Sequence, residues 1–259
     1  HPWQLIGVVV GGLYALGILA VAVFGLVAMR VTAAQIDPEP RAQILVLAGS
    51  VVVLGWAIGP FLRAGGDDVL DASRFAHMPI ALPQLLRASF VATLLGIPGI
   101  VTVVASLSTV IPWTVSLAAA LAAVCGAALA VVICVLASRV TASLANRLAK
   151  GRRFREVLSL LILIPVILLA PLLNLIGAAG STIASIPGML APVLSWTPLG
   201  AAWMIPADVL AGDWGLAALR VLISLASIAA LALLWYGITV SSLGRPAAAA
   251  VKRRTGAGA

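Results

Sequence analysis

The stretch RAGGDDVLDASRFAHMPIALPQLLR, residues 63–87, is the polar segment that separates two long apolar segments in the first half of the chain. Its Gly-Gly pair interrupts any preceding helix. Asp67 or Asp68 then offers a side-chain oxygen to the free amides of a new first turn, where its charge also suits the helix dipole. Pro79 ends the new helix, because the residue before a proline avoids the helical conformation. The stretch therefore predicts a short helix between two membrane spans.

This short helix is amphipathic. At about 100° per residue, Asp67, Asp71 and Arg74 fall on one face and small apolar residues fall on another. Asp71 and Arg74 are also spaced for a local ion pair. A helix of this kind is either a connector at the lipid surface or a contact for a cytoplasmic partner, and its amphipathicity fits both.

The composition indicates an integral membrane protein. Hydrophobic residues make up 63% of the chain, charged residues only 9%, and the mean hydropathy is +1.18, whereas roughly a quarter of the residues of a soluble domain are charged. The net charge of +8 does not indicate nucleic-acid binding, because the basic residues are confined to particular loops. Cys125 and Cys134 lie on one apolar segment, too far apart for a disulfide, and we interpret them as packing residues.

A membrane-spanning helix needs about 20 predominantly apolar residues. Six segments qualify, and none contains an acidic residue: 3–28, 42–62, 88–111, 113–138, 157–176 and 215–240. We therefore predict an all-α integral membrane fold with one six-span domain, residues 1–243. Residues 244–259 are basic and low in complexity, which predicts a flexible cytoplasmic linker or tail.

Several small or polar residues interrupt these spans. Gly96, Pro98 and Gly99 predict a kink or break in the third span. Gly55, four residues before Gly59, predicts a close helix contact in the second span. In the fifth span an asparagine needs a polar partner, so we expect it to face the interior of the bundle; this residue is Asn174.

The basic residues predict the orientation in the membrane. Three lie in 63–87, six in 139–155 and four after Ser242, against two, none and none in the alternate loops. By the positive-inside rule, both termini and the two long basic loops are cytoplasmic. The cluster at 139–155 either attracts anionic lipid or forms a second contact with a cytoplasmic partner, and the candidate residues are Arg147, Lys150, Arg152 and Arg153.

The stretch 177–214 is too apolar and too rich in proline for a solvent loop, and it predicts short re-entrant or interfacial helices before the last span. Thr197 with Pro198 resembles an N-cap followed by proline at the first helical position, and Asp213 is placed to cap the sixth span. Arg220, inside that span, is expected to snorkel to the interface or to pair with Asp208 or Asp213.

Several chemistries have no motif in this sequence. There is no G-x-x-x-x-G-K-[ST] phosphate loop, so any ATP-driven work has to come from another chain, and the protein is not an enzyme by itself. The two histidines, His1 and His77, leave no pair for a metal site. The absence of acidic residues from the spans argues against a proton- or sodium-coupled antiporter. Hydroxyl residues in the third span are candidates to line a pathway, but such residues more often bond to their own helix: Thr93, Thr102, Ser106 and Ser108.

Three stretches carry a family resemblance: GGDDVLDASRFAHMPI (65–80), LLRASFVATLLGIPG (85–99) and WTPLGAAWMIPADVLAG (196–212). They resemble actinobacterial ABC-2 type permeases, the membrane subunits of drug and antibiotic ABC exporters with a type V exporter-like bundle. The resemblance implies that the polar stretch is the coupling helix that contacts the ATPase, with these contact residues: Asp67, Asp68, Asp71, Arg74 and Phe75. It also implies that spans two and five line the pathway, where Trp56 and Asn174 are the candidates.

The same resemblance implies the partners. A cytoplasmic ABC ATPase dimer would bind ATP and Mg, and a second six-span half would complete the pathway, either as an identical chain or as a covalent repeat of which this chain matches the first half. The expected location is the plasma membrane, and the expected substrates are hydrophobic or amphipathic compounds such as drugs.

Two other functions remain open on the sequence. One is a non-transporting membrane scaffold or accessory subunit that uses its basic loop to recruit a partner or lipid. The other is a transporter coupled to an ion gradient through a partner's carboxylates. The predicted break in span three and the kinks predicted in span five from Pro165 and Pro171 favour a transporter, because broken helices often line cavities.

Overall fold

The structure, a computed structural model, describes residues 17, 19–20, 23–31, 38–62, 82–148 and 185–243. Every regular element in these ranges is helical, which confirms the predicted all-α class for this part of the chain. Residues 23–31 are helical, and a 3-10 turn spans Ile111–Trp113. The main helices are α1 (Pro38–Leu62), α2 (Leu82–Leu95), α3 (Ile97–Ser108), α4 (Leu117–Leu148), α5 (Ser185–Leu194), α6 (Ala201–Ala211) and α7 (Trp214–Leu243).

Three of these helices, α1, α4 and α7, are long and apolar enough to cross a membrane, and the bent pair α2–α3 is a fourth candidate if it counts as one span. The protein is therefore an integral membrane protein. The predicted second, fourth and sixth spans correspond to α1, α4 and α7. The predicted spans at 157–176 and, for most of its length, at 3–28 lie outside the described residues.

The predicted break in the third span is confirmed. Helices α2 and α3 are separate and meet at Gly96 with a bend of 69°. Pro98 has no amide hydrogen to donate to the preceding turn, so the helical hydrogen-bond ladder is interrupted there. The predicted third span, 88–111, therefore corresponds to two helices and not to one continuous helix.

Helix α4 is longer than the predicted fourth span, because it continues to Leu148 where the prediction ended it at 138. The segment SRVTASLANRL contains neither glycine nor proline, so nothing in its backbone stops the helix. Arg139, which was assigned to a loop, lies within α4 and is buried.

The three long helices run parallel to one another. Along α4, Ala122 packs near Ala217 of α7, and further on Leu136 packs against Trp235. Helix α1 follows α4 in the same order: Leu45 shares a cluster with Ala119 and Ala123, and Val53 shares one with Ile133. We call the end at which α1, α4 and α7 begin the starting end, and the opposite end the finishing end.

Helices α5 and α6 form a hairpin within the starting half of the bundle. Gly188 of α5 lies near Gln43 at the starting end. The turn between the helices reaches the depth of Val53 and Ile133, where Leu199 packs. Helix α6 then returns, and its Val209 packs with Ala217 near the start of α7. At 1.5 Å per residue each helix is about 15–16 Å long, roughly half the thickness of a bilayer core. The predicted short helices before the last span are thus present.

The hairpin packs closely because two glycines face it. A methyl group at Gly49 of α1 would overlap the indole of Trp203, and one at Gly126 of α4 would overlap the carbonyl oxygen of Ala202. By contrast, a methyl group at Gly55 would meet nothing within 4 Å among the described residues. The close approach seen in this part of the chain occurs earlier in the same helix, and the contact predicted from Gly55 and Gly59 stays a prediction.

Candidate functional site

Arg220 is the centre of the most prominent polar cluster in the described residues. Its Nη1 donates a hydrogen bond of 2.8 Å to the carbonyl oxygen of Ser195, and its guanidinium lies 4.8 Å from the centre of the Trp196 ring. Its Nε lies 2.5 Å from Oδ2 of Asp208. Those two atoms are in ionic contact but do not have the geometry of a hydrogen bond, so we describe the pair as an ion pair. The predicted pairing of Arg220 with Asp208 is confirmed.

The ion pair between Arg220 and Asp208 is buried. The side chains of Arg220 and Asp208 are only 6% and 7% exposed. A single buried charge would be very unfavourable, so each residue depends on the other. The cluster joins three parts of the fold, because Ser195 and Trp196 lie in the turn that follows α5, Asp208 belongs to α6 and Arg220 belongs to α7. It therefore fixes the turn of the hairpin against the last long helix.

Arg41 makes a similar cluster at the starting end. Its Nη1 donates to the carbonyl oxygen of Pro112 over 2.8 Å, and its guanidinium lies 5.4 Å from the centre of the Trp113 ring. In both clusters an arginine donates to the carbonyl of one residue and covers the tryptophan that follows it. Both carbonyls lie at helix breaks, where main-chain oxygens lack helical partners. The two arginines thus stabilise chain reversals inside an apolar bundle.

Two further polar contacts join the bent pair to its neighbours. Arg139 of α4 donates from Nε to the hydroxyl oxygen of Thr93 over 2.6 Å, and its Nη2 also contacts that oxygen. Trp56 of α1 donates from Nε1 to the hydroxyl of Thr102 over 2.9 Å. Trp56 was a candidate to line the pathway; it is half-buried, and it joins α1 to α3.

The hydroxyl residues of the third span mostly bond to their own helix, as the commoner alternative predicted. Thr93 donates to the carbonyl of Ser89, Thr102 to that of Pro98 and Ser108 to that of Val104, over 2.7–2.8 Å. Thr93 and Thr102 also accept bonds from other helices, and Ser106 is buried.

Thr197 makes the local bonds predicted for an N-cap, because its hydroxyl oxygen accepts from the amide of Leu199 over 3.3 Å and its carbonyl accepts from the amide of Ala201 over 3.0 Å. Helix α6 itself begins only at Ala201, with Gly200 at its N-cap position, so Thr197 caps the turn before α6 and not the helix. The hydroxyl of Thr197 also donates to the carbonyl of Leu194 over 2.7 Å, next to the end of α5. Asp213 directly precedes α7, and its carbonyl accepts a bond of 3.0 Å from the amide of Ala217.

Most of the other predicted site residues lie outside the described residues. These are the coupling-helix residues Asp67, Asp68, Asp71, Arg74 and Phe75, together with Lys150, Arg152, Arg153 and Asn174. Arg147 lies in the last turn of α4, but its side chain is not described.

Sequence reasoning missed two pairs of residues. The first is Arg41 with Arg139, which were counted only as topology signals. Their position beside apolar runs was the available signal, because a charge there requires a polar partner. The second is Ser50 with Trp203, whose Oγ and Nε1 are buried without a hydrogen-bond partner in the described residues. Nothing in the sequence pattern distinguishes these two from packing residues.

No group of three or more His, Cys, Asp or Glu side chains in the described ranges could hold a metal ion. The chemistry available in these ranges is therefore that of buried arginines, carbonyls and indoles, which bind and position helices.

Comparisons of the chain with models of protein families, with curated proteins and with solved structures found no match.

Proposed function

We propose that this chain is the membrane-spanning half of an ATP-driven exporter of the ABC-2 type, which moves hydrophobic or amphipathic compounds out of the cell. The observation that carries the proposal is the α5–α6 hairpin, which enters and leaves the bundle at the same end immediately before the last long helix. This is where the family resembled by residues 65–99 and 196–212 has its pair of short helices.

The directions of the helices support six spans. Helices α4 and α7 are parallel, so the chain between them crosses the membrane an odd number of times. The hairpin starts and finishes at the starting end and contributes no crossing. We therefore infer an odd number of crossings between the end of α4 and the start of α5, and we propose that the apolar segment 157–176, which has the necessary length, supplies one.

The helix directions in the first half of the chain also fit an odd number of membrane crossings between two parallel long helices. Helices α1 and α4 are parallel, and the bent pair between them runs in the opposite direction, because Val110 packs with Ala119 and Ala123 while Phe90 packs with Leu136 and Val140. The stretch 63–87 then joins the finishing end of α1 to that of α2. By the positive-inside rule this end is cytoplasmic. The polar stretch is then accessible to an ATPase in the cytoplasm.

A coupling experiment tests the proposal. The chain is co-expressed with the ABC ATPase encoded beside it, purified in detergent and assayed for ATP hydrolysis and substrate transport in lipid nanodiscs and liposomes. We expect a stoichiometric complex whose hydrolysis is uncoupled from transport by Asp71→Ala, Arg74→Ala and Phe75→Ala together. The control is Glu39→Ala with Gln43→Ala, a hydrogen-bonded pair of side chains at the opposite end of α1.

Failure to co-purify any ATPase contradicts the proposal. So does unchanged substrate-stimulated turnover in the triple variant, since the polar stretch would then be a surface connector. Equal loss in the control pair would show a general loss of folding and not a coupling contact.

A gradient-coupled transporter is the second candidate, and one observation favours it. Asp208 is a buried carboxylate within the membrane domain, although none of the six predicted spans contains an acidic residue. Carboxylates in this setting often carry protons in transporters. The ion pair with Arg220 opposes that role, because a proton on the carboxylate would leave the buried guanidinium without its charged partner.

Transport assays separate these two candidates. The exporter stops when ATP is depleted and continues when the proton gradient is collapsed, and the gradient-coupled transporter behaves in the opposite way. Asp208→Asn should abolish coupling only in the second case.

A further inference from the structure

The break between α2 and α3 has a geometry that depends on small residues. A methyl group at Gly99 would overlap the carbonyl oxygens of Thr93 and Leu94, so the start of α3 folds directly onto the last turn of α2. Pro98 cannot donate to the preceding turn. The connection therefore rests on few main-chain hydrogen bonds, among them the bonds from the Gly96 amide to the carbonyl of Ala92 and from the Ile100 amide to the carbonyl of Gly96.

The far end of α3 is fixed. The chain after it enters the 3-10 turn, where the indole of Trp113 is only 1% exposed and the carbonyl of Pro112 accepts from Arg41. Thr114 accepts a further bond of 2.9 Å from Arg30. Movement of the bent pair is therefore expected at its other end, in α2.

Within the described residues, helix α2 has fewer buried residues than helix α6 of the hairpin. Leu86 and Phe90 pack only partly buried against the finishing ends of α4 and α7, while Val91 and Leu95 are 48% and 65% exposed. Within the described residues, a polar contact between α2 and α4 is the bond from Arg139 to Thr93, one turn before the break. The α5–α6 hairpin is fixed more firmly than α2. It packs closely against Gly49 and Gly126, and its Asp208 forms the buried ion pair with Arg220 of α7.

We propose that Gly96 to Gly99 is a hinge about which α2 swings, and that the bond between Arg139 and Thr93 is the catch that holds α2 in the position seen here. The α5–α6 hairpin stays fixed to α1, α4 and α7 during this motion. The hinge is a property of the membrane domain alone. Its use by an ATPase acting on residues 63–87, which lead directly into α2, rests on the proposed function.

Distance measurements between spin labels test the hinge in the full chain reconstituted in nanodiscs, without any ATPase. After Cys125 and Cys134 are replaced by alanine, one pair of labels is placed at Gln84→Cys and Leu121→Cys, on exposed positions of α2 and α4. A second pair, at Leu121→Cys and Leu233→Cys, reports on α4 and α7 and is the internal reference.

We expect Thr93→Val, which removes the acceptor of the catch, to raise the population of a second α2 distance about tenfold, in line with the loss of one charge-assisted hydrogen bond. The reference distance should stay unchanged. Ser108→Ala is the matched control, because that hydroxyl donates to the carbonyl of Val104 within α3.

An unchanged distribution for the α2 pair in Thr93→Val overturns the catch, and a change of equal size in the reference pair overturns the hinge. Gly99→Ala provides a second test, because a methyl group cannot be accommodated at the observed bend and should shift the α2 distance by itself. If Thr93→Val does not fold, Arg139→Lys keeps the charge while weakening the bond, and it should move the distribution in the same direction. Because ATP and substrate are absent, these results are independent of whether the chain proves to be an exporter.

Discussion

Gly49 and Gly55 both lie on α1, but they differ in how closely other helices approach them. The first faces the indole of Trp203, and the second meets no other residue of the described ranges within 4 Å. We expect Gly49→Ala to destabilise the protein by about 1–3 kcal/mol, because the added methyl overpacks the contact between α1 and α6. Gly55→Ala should change stability by no more than about 1 kcal/mol, since it alters only helix propensity. Thermal unfolding followed by tryptophan fluorescence compares the two variants. Equal destabilisation would contradict the close contact at Gly49.

The ion pair between Asp208 and Arg220 predicts strong coupling between two substitutions. Arg220→Gln alone should cost about 3–5 kcal/mol, because it leaves a buried carboxylate without its partner. Adding Asp208→Asn should recover a large part of that loss. A double-mutant cycle of thermal stability in detergent measures the coupling energy, and additive effects of the two substitutions would show that the charges do not depend on each other.

The residue scale also shows what the sequence could predict. Arg220 was expected to pair with a nearby aspartate, because a charge in a span needs a partner and both candidates lay within a few turns. The contact of Arg139 with Thr93 joins α4 to α2, which are distant in sequence, and no local spacing of residues predicts it. Thr197 and Pro198 predicted the capping bond to Leu199 but not the helix start at Ala201, because the hydroxyl of Thr197 also bonds to the carbonyl of Leu194 at the end of the preceding helix.

At the scale of elements, the α5–α6 hairpin predicts a distinctive pattern of cysteine labelling. In a chain without Cys125 and Cys134, Gly188→Cys and Trp214→Cys should react with a membrane-impermeant maleimide from the same side of the membrane. Pro198→Cys, in the turn between the helices, should react at least about tenfold more slowly from either side, because thiols form the reactive thiolate poorly away from water. Labelling of position 198 from the opposite side would show that the hairpin crosses.

Helix boundaries were less predictable than helix existence. The apolar runs placed α1, α4 and α7 correctly, because burial in lipid requires a continuous apolar stretch. Hydropathy ended the fourth span at the first arginine, yet α4 continues to Leu148, because Arg139 finds a hydroxyl acceptor inside the bundle. The small-residue spacing of Gly55 and Gly59 gave no sign of the close approach at Gly49, since spacing alone does not say which face of a helix meets its neighbour.

For the whole molecule, the parallel long helices predict that Lys150 and Trp214 lie on opposite sides of the membrane. Lys150→Cys should be labelled only in inside-out vesicles and Trp214→Cys only in right-side-out vesicles, both in the cysteine-free background. Labelling of both positions in the same vesicles would require an even number of crossings between α4 and α7, and it would contradict a six-span domain.

The hairpin also has a practical consequence for anyone who fuses a reporter to the C-terminal tail. Its two helices lie within a long apolar stretch that a hydropathy plot can score as one more crossing. Such a plot would count an extra passage and assign the tail to the wrong compartment. A fluorescent protein or phosphatase fused after residue 243 would then give a signal opposite to the one expected, and a correctly inserted protein would be mistaken for an inverted one.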